Sequence, residues 1–590
     1  MPELAPEARQ FTNATFVKIF NEIGAMMELK GESPFKVRAY RNAASTFANL
    51  PENLKDIWRE GRVNDLPGIG KAITEKVDEL MTTGRLRFYD RLLNEVPPSL
   101  IAITDIPHLG AKTAMLLYQQ LGIQGIADLQ KAIEDGRIYE VPGLGKKTVE
   151  NIREGIEAVQ RRSAEKRDLL GSALPVVRQM VALLKSSCPG GLDRVEIAGS
   201  TRRWKPTVGD IDILATAAEP HKVIACFVKL PMVGSVDSQG ENKTTVRLHS
   251  GLQVDLYVMQ PEFYIPLLHH FTGSKAHSIK LRDRAIKMGY KLNEYGLWRA
   301  NGEAVTITKE EDIYTTLGLR WMPPEMREDR GEIEASERGK LPTLVELTDI
   351  KGDLHSHTTW SDGTETILQM ARAAKKRGYQ YLAITDHSQS LSITNGLTVD
   401  RLHAQRKEIE EAQKAIGSDF RIFHGTELEI KNDGTLDFPD EVLAWLDIVV
   451  ASIHGGLRQP GEQVTQRALN AIRNPHVDIL GHPTGRLINQ REPSAMDVSA
   501  VIKEAARTGT ALEINSAPDR LDLDDIYVKE AMEEGCVLSI DTDAHHHNNF
   551  DLIEYGVHIA RRGWATADRI ITTWEREKLE AWLRDRVNKA

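Results

Sequence analysis

The stretch Val208-Gly-Asp-Ile-Asp-Ile-Leu214 alternates acidic and branched apolar residues, the period of a β-strand with one buried face. Asp210 and Asp212 therefore share one face of that strand, while Ile211 and Ile213 point into a core. In Gln253-Val-Asp-Leu-Tyr257 the pattern returns, with Asp255 between Val254 and Leu256. Three carboxylates on adjacent strands repel one another unless cations neutralise them. The pattern thus predicts a pair of hard divalent ions, Mg²⁺ or Mn²⁺, held by Asp210, Asp212 and Asp255 for phosphoryl transfer. An isolated D-x-D also suits surface acids on an edge strand. The neighbouring GSTRR (199–203) argues for the site, because Gly199 and Ser200 allow close approach to a phosphate and Arg203 offers a planar fork for one. From about residue 168 to 320 such strands, separated by Gly and Pro, predict a largely antiparallel α+β region.

Upstream, residues 1–165 read as all-α, with apolar residues at three- and four-residue spacing, as in Phe16, Ile19, Phe20 and Ile23. A short unit recurs there as LPGIGKAI (66–73), IPHLGAKT (106–113) and VPGLGKKT (141–148). Its glycines, Gly68 and Gly70, Gly110, and Gly143 and Gly145, precede helical runs, so backbone N–H groups at a helix start could meet phosphates. One copy alone would equally suit a helix C-cap glycine. A dinucleotide site is excluded because no strand precedes these glycines and the third Gly is missing. The middle copy has His108 in place of the first Gly.

After residue 350, apolar strands such as YLAITD, DIVVASI, VDILGH, ALEINS and VLSIDTD alternate with amphipathic helices, the rhythm of a barrel. Nearly every strand ends in a metal-ligating residue. DLHSH (353–357) places His355 and His357 on one face, followed by Asp362, His387, Glu427, His454, His482, Asp543 and His545. Singly, each is more often a core histidine or a helix cap; jointly they predict a centre for Zn²⁺, Mn²⁺ or Fe²⁺. Residues 321–349, charged and bounded by prolines, read as a linker.

The chain has 590 residues, which predicts three to five domains. Its net charge of −10 is uneven: residues 166–320 carry 21 basic and 16 acidic groups, and residues 350–590 carry 28 and 38. An acidic C-terminal third fits a cation-binding cluster. Cys188, Cys226 and Cys536 form no C-x-x-C pair and suggest neither a disulfide framework nor a thiolate zinc site. No signal-like or membrane-spanning segment is read, so a cytoplasmic protein without a membrane partner is expected.

The order Gly199-Ser200-x-x-Arg203, Gly209-Asp210-x-Asp212, Asp255 and Phe271-Thr272-Gly273-Ser274 resembles the nucleotidyltransferase core of the X-family DNA polymerases. The resemblance implies that Asp210 and Asp212 hold both metals, while Asp255 binds the catalytic one and helps activate the primer 3′-hydroxyl. Gly199, Ser200, Arg203, Phe271, Gly273, Ser274 and Lys275 would form the nucleotide site, and Arg282 would reach DNA. His270, Lys275, Ser278 and Gln253 depart from the eukaryotic pattern of Tyr, Asp, Asn and Arg. The repeats resemble helix-hairpin-helix motifs that bind DNA through Gly68, Gly70, Gly110, Gly143 and Gly145. The first continues into a region similar to that family's lyase, aligning Lys76 with the Schiff-base lysine and Lys36, Tyr40 and Arg41 with 5′-phosphate contacts. Glu75, Asp78 and Glu79 near Lys76 would favour its charged, non-nucleophilic form, and Ala72 stands where the family has a phosphate-binding lysine.

The C-terminal third resembles the PHP (polymerase and histidinol phosphatase) domain, implying up to three metal ions held by the nine residues above. The fold expectation is multidomain: an all-α helix-hairpin-helix N-terminal region, an α+β nucleotidyltransferase palm and thumb, and a C-terminal distorted (β/α)7 PHP barrel. The expected boundaries are 1–88 for the lyase-like domain, 89–165 for the fingers-like domain, 166–260 for the palm, 261–320 for the thumb-like subdomain, 321–349 for the linker and 350–590 for the PHP domain. The expectation is a monomeric bacterial DNA polymerase that uses dNTPs on gapped duplex or primer–template DNA in base-excision repair. PHP-dependent 3′-5′ exonuclease and abasic-site or 3′-end processing are implied with it. A mainly hydrolytic PHP enzyme with a weak polymerase core, and a non-catalytic DNA-binding scaffold, are the alternatives.

Overall fold

The computed structural model describes residues 11, 13–48, 50, 54–66, 68–104, 106, 109–164, 167–188 and 192–588; His108 of the middle repeat lies outside them. Two compact units are formed, one by residues up to 198 with 207–264, the other by 199–206 with 265–590.

The first unit opens with helices packed around Phe16, Phe20, Phe47, Leu54, Val77, Leu100, Leu117 and Ile152, all fully or almost fully buried. Among the described residues the same backbone hydrogen bond recurs in all three repeats. In each, the apolar residue before the last Gly is buried (Ile69, Leu109, Leu144) and its N–H donates three residues back, to Leu66, Ile106 and Val141 at 3.1–3.2 Å. Helices α1 (Lys71–Thr83), α2 (Ala111–Leu121) and α3 (Lys146–Ala164) then begin beyond Gly70, Gly110 and Gly145. The buried plug fixes the turn, and the glycines stay at the surface.

The unit's sheet comprises β1 (Leu192–Ile197), β2 (Asp210–Ala217), β3 (Val233–Gln239), β4 (Lys243–Leu248) and β5 (Gln253–Met259) in the order β1-β2-β5-β4-β3. The expected antiparallel sheet is modified at its centre, where β2 and β5 run parallel. The cysteine reading is corrected here: Cys188 and Cys226 form a disulfide, with Cα atoms 5.6 Å apart across 38 residues, and Cys536 alone is free. Cys188 ends the helix Leu170–Ser187, which packs on the helix Pro220–Phe227 carrying Cys226. Spacing along the chain carries no trace of that packing.

In the second unit a small core of Leu281, Ala285, Ile313, Tyr314, Leu317 and Met322 supports the helix α4 (Lys275–Lys287). Beyond it lies a seven-stranded parallel sheet of β6 (Gly352–Asp353), β7 (Tyr381–Ile384), β8 (Arg421–Glu429), β9 (Ile448–Ser452), β10 (Ile479–Leu480), β11 (Ala511–Asn515) and β12 (Leu538–Asp541), in sequence order. It closes on itself, because Ser356 bridges Ala544 in parallel just past the ends of β6 and β12. Buried carboxylates tie the seam: Leu354 N donates to Asp541 (2.7 Å) and Thr542 Oγ1 to Asp353 (2.6 Å). Burial pushes Asp353 up to about 7. Leu354, Tyr381, Phe423, Ile448, Ile479 and Ala511 fill the core with Trp574 and Leu579. The expected distorted (β/α)7 barrel is the fold observed.

The segment 321–349 is packed rather than an open linker. Its charges have partners on both sides: Arg327 with Glu310 (2.8 Å), Glu332 with His277 (2.6 Å), Glu325 with Arg561 (2.7 Å) and Arg330 with Asp525 (2.9 Å). High charge, read as solvation, here reflects buried pairing. Arg327 is fully buried, donating from Nε to the Met322 carbonyl, and Glu310, although burial opposes its charge, is held well below the usual carboxylate range by Arg327 and Arg202. Arg327→Ala strands Glu310 half-paired in the interior. It should destabilise the second unit by about 3 kcal/mol in urea titrations.

Candidate catalytic and metal centres

Parallel pairing of β2 with β5 sets Asp212 opposite Asp255 and Asp210 opposite Gln253, so the three carboxylates share one face of neighbouring strands. Asp210 is exposed, Asp212 half-buried and Asp255 buried. Lys243 of β4, which the sequence reading missed, places Nζ 2.8 Å from Asp255 Oδ2, and Gln253 Nε2 lies 3.4 Å from Oδ1. Burial works against the charge on Lys243, yet hydrogen bonds with Asp255 and Tyr257 raise its pKa. The ammonium occupies the position of positive charge that the carboxylates demand, so the donor set fits hard divalent cations.

The residues expected at the nucleotide site lie in the second unit. Gly199 and Ser200 begin the short helix Gly199–Arg202. Arg203 donates from Nη1 to the Thr272 carbonyl and from Nε to Glu328 (3.0 Å), beside Gly273. Gly273 has φ +66°, and a Cβ there would lie 3.1 Å from Arg203 Nη1, so only glycine leaves the guanidinium room. Ser274 caps α4 by accepting from His277 N (3.3 Å); Lys275 opens that helix, Phe271 lies half-buried just before it, and Arg282 stands exposed along it with Nε on the Ser278 carbonyl.

In the helical region Gly68, Gly70, Gly110, Gly143 and Gly145 are exposed, with open space where a side chain would begin. Lys76 lies 5.3 Å from the Phe88 ring and 5.8 Å from that of Tyr40. Asp78, expected to hold Lys76, instead accepts from Trp58 Nε1 (2.9 Å), and Glu79 accepts from Arg87 N (3.0 Å). Burial pushes the Tyr40 phenol up to about 12, and Lys36 and Arg41 pair with Glu32 and Glu28.

All nine histidines and carboxylates read from the C-terminal third meet at the C-terminal rim of the barrel. Glu427 of β8 is central: Oε1 lies 2.9 Å from His482 Nε2 and 3.1 Å from His454 Nε2, and Oε2 lies 2.8 Å from His387 Nδ1, 3.4 Å from His355 Nε2 and 3.5 Å from His357 Nε2. Asp543 Oδ1 approaches His357 Nε2 (3.1 Å), and Asp362 Oδ1 approaches His545 Nε2 (3.2 Å) and His387 Nε2 (3.5 Å). His355 Nε2, both ring nitrogens of His357, His387 Nδ1 and Glu427 Oε2 are buried and, although close to one another, make no hydrogen bond of proper direction. Orphaned donors converging on shared space are what divalent cations would satisfy, so the residues fit the implied metals.

A second layer, absent from the sequence reading, orients the rings. Glu513 Oε1 engages His355 Nδ1 (2.7 Å), Glu429 Oε2 engages His454 Nδ1 (2.6 Å), and His545 Nδ1 meets the Asp543 carbonyl (2.8 Å). The sequence signals were the doubled acid in GTELE and the lone acid in ALEIN. Asp386 is not a ligand; it accepts from Thr358, Ser361 and Gln405 and pins the loop carrying His357 and Asp362. Glu365, His546 and His547 form a separate group, but His546 Nδ1 accepts from Asn548 N (3.1 Å), which leaves the proton of the neutral ring on Nε2, the nitrogen facing Glu365.

Burial opposes charge throughout, yet facing carboxylates push His454 up to about 10 and His545 up to about 9. Burial and the neighbouring His545 and His387 push His357 down to about 4. A metal ligand must be deprotonated. Metal uptake by stripped protein at pH 8, where the facing carboxylates hold His355, His454 and His545 protonated, should therefore release on the order of three protons. Calorimetry in buffers of different ionisation enthalpy measures this, and the release should fall off above pH 10.

A palm-like sheet bearing three acids and a PHP-type barrel bearing nine ligands, on one chain, define a polymerase–phosphoesterase fusion. The domain matches agree: a helix-hairpin-helix domain at 11–86, a SAM-like helix-hairpin-helix tandem at 100–158, a DNA polymerase beta thumb at 267–328 and a PHP domain at 353–517. The chain is 38% identical over 571 residues to the DNA polymerase/3′-5′ exonuclease PolX of Bacillus subtilis (strain 168), covering 96% of this chain and 98% of that protein. It belongs to that family. A probable phosphatase of Thermoanaerobacter sp. (strain X514) is 28% identical over 249 residues, 40% of this chain and 96% of that protein. A second probable phosphatase, from Caldanaerobacter subterraneus subsp. tengcongensis, is 31% identical over 204 residues, 33% of this chain and 75% of its own length.

Proposed function

We propose that the protein is a template-directed DNA polymerase that fills short gaps during base-excision repair, with the PHP barrel acting as a 3′-5′ exonuclease and 3′-end-processing centre. The register that opposes Asp212 to Asp255 carries the polymerase reading. The convergence of nine ligands on the barrel rim carries the exonuclease reading. Two Mg²⁺ or Mn²⁺ at the palm and up to three Zn²⁺, Mn²⁺ or Fe²⁺ at the barrel would supply charge neutralisation and activation of the attacking oxygen.

Asp210 and Asp212 would hold both ions of the palm, while Asp255 would bind the catalytic one and help activate the primer 3′-hydroxyl. Ser200 and Arg203 take the triphosphate, and Phe271 and Gly273 face the sugar. Gly68, Gly70, Gly110, Gly143 and Gly145 present backbone N–H groups to DNA phosphates, and Arg282 touches the duplex. Lys76, held over two aromatic rings, is the candidate lyase nucleophile, with Lys36, Tyr40 and Arg41 at the 5′-phosphate. The substrates are gapped or primer–template DNA and dNTPs, and a cytoplasmic monomer suits them. Among the described residues no helix is long and apolar enough to cross a membrane.

Primer extension on a one-nucleotide-gap duplex, compared with 3′-end degradation by the same protein, tests both centres. Asp210→Asn with Asp212→Asn should lower extension on the order of a thousandfold while sparing degradation, as expected when groups that stabilise transition-state charge are lost. His355→Ala with His357→Ala should do the reverse; equal loss of both activities would make the barrel ions structural.

A further inference from the structure

The loop assigned to the triphosphate is built into the PHP half of the protein. Residues 199–206 belong to the same compact unit as residues 265–590, and their partners include helix α5 (Ile553–Arg562) of the barrel. Arg562 is fully buried, and Nη1 donates to the carbonyl oxygen of Arg203 (2.6 Å) and to Glu328 (2.9 Å), while Nη2 donates to Asp525 (2.6 Å). The same Glu328 oxygen accepts from Arg203 Nε (3.0 Å), so one carboxylate joins the side chain assigned to the triphosphate to the barrel helix. Next along the loop, Trp204 stacks on His558 of α5 with ring centroids 3.6 Å apart and planes 8° from parallel, and its edge meets Tyr555.

Trp204 also holds φ +55°, the left-handed region that a bulky side chain avoids unless its surroundings impose it. Locally that turn closes the helix Gly199–Arg202, with Trp204 N donating to the Thr201 carbonyl and Lys205 N to the Ser200 carbonyl (both 3.0 Å), and α5 holds it from outside by a ring stack on the side chain and a charge-assisted hydrogen bond to the preceding carbonyl. None of the nine barrel ligands lies on α5, so these contacts serve the loop without belonging to the hydrolytic centre.

We propose that Arg562, with His558, is a positioning residue of nucleotidyl transfer: the PHP helix α5 sets the conformation of the Arg203 loop that receives the nucleotide triphosphate. The proposal rests on the reading of Arg203 as a triphosphate ligand. The PHP fold then has a role in synthesis separate from its hydrolytic chemistry.

Full-length protein tests it, by steady-state extension of a gapped duplex over a range of dNTP concentrations. The same preparations are assayed for 3′-end degradation of a single-stranded oligonucleotide. Arg562→Ala should raise the KM for dNTP at least tenfold, with a smaller change in kcat and with degradation within twofold of wild type. His558→Ala, which removes the stack and leaves buried Glu325 with Arg561 as its partner, should raise KM severalfold, and Arg562→Lys should recover part of the loss. An unchanged KM in Arg562→Ala or His558→Ala, or parallel loss of extension and degradation, overturns the proposal. Arg203→Ala separates the two ideas. If it raises KM while Arg562→Ala and His558→Ala do not, only the positioning role fails; if it leaves KM unchanged, the triphosphate reading fails and the proposal with it.

Discussion

One buried carboxylate, Glu427, stands within 3.5 Å of five imidazoles. Isolated, such a charge in a protein interior costs several kcal/mol, and each imidazole buried without a partner adds its own desolvation cost. The cluster is tolerable only complete, with all its members delivered to one place. A parallel barrel does this because the C-terminal ends of its strands lie on one rim. His355 and His357 follow β6, His387 follows β7, Glu427 is on β8, His454 follows β9, His482 follows β10, and Asp543 and His545 follow β12. Barrel closure and cluster assembly are therefore one constraint, and the Asp353 and Asp541 hydrogen bonds at the seam satisfy both.

The rest of the second unit obeys the same rule in its charged segments. Glu310, Glu325, Glu328, Glu332 and Asp525 are buried or nearly so, and each faces a guanidinium or an imidazole. These pairs are directional, so they fix orientation as apolar packing would not. They also explain why residues 199–206 leave the neighbouring sheet and join this unit: Arg202, Arg203 and Lys205 find Glu310 and Glu328 there.

Much of this was legible in the sequence, for identifiable reasons. Period-two alternation around Asp210 and Asp255 gave two strands with their acids on one side, and the β2–β5 register agrees. The nine rim residues were legible because each ends an apolar run, a position defined along the chain. Partners distant in sequence were not. Lys243 looked like any strand-end lysine, and Glu513 and Glu429 had no mark beyond acidity in an apolar run. Cys188 and Cys226 meet only through helix packing, and the supposed linker hid partners for its charges 17 to 236 residues away. Local periodicity reports which face a residue occupies, whereas pairing depends on topology that periodicity does not encode.

The two centres also differ in kind, and this bears on how one chain can carry opposed reactions. The palm offers carboxylate oxygens alone, a hard set that suits exchangeable, hydrated ions. The barrel offers imidazole nitrogens with carboxylates, with the rings of His355, His454 and His545 oriented from behind by Glu513, Glu429 and a backbone carbonyl, a set that suits borderline ions. Protonation acts at the barrel as well, since its raised histidines must give up protons before they bind an ion. In the second unit the Arg203 loop and the barrel share one set of ion pairs, the contacts through which the proposed positioning role would connect the two chemistries.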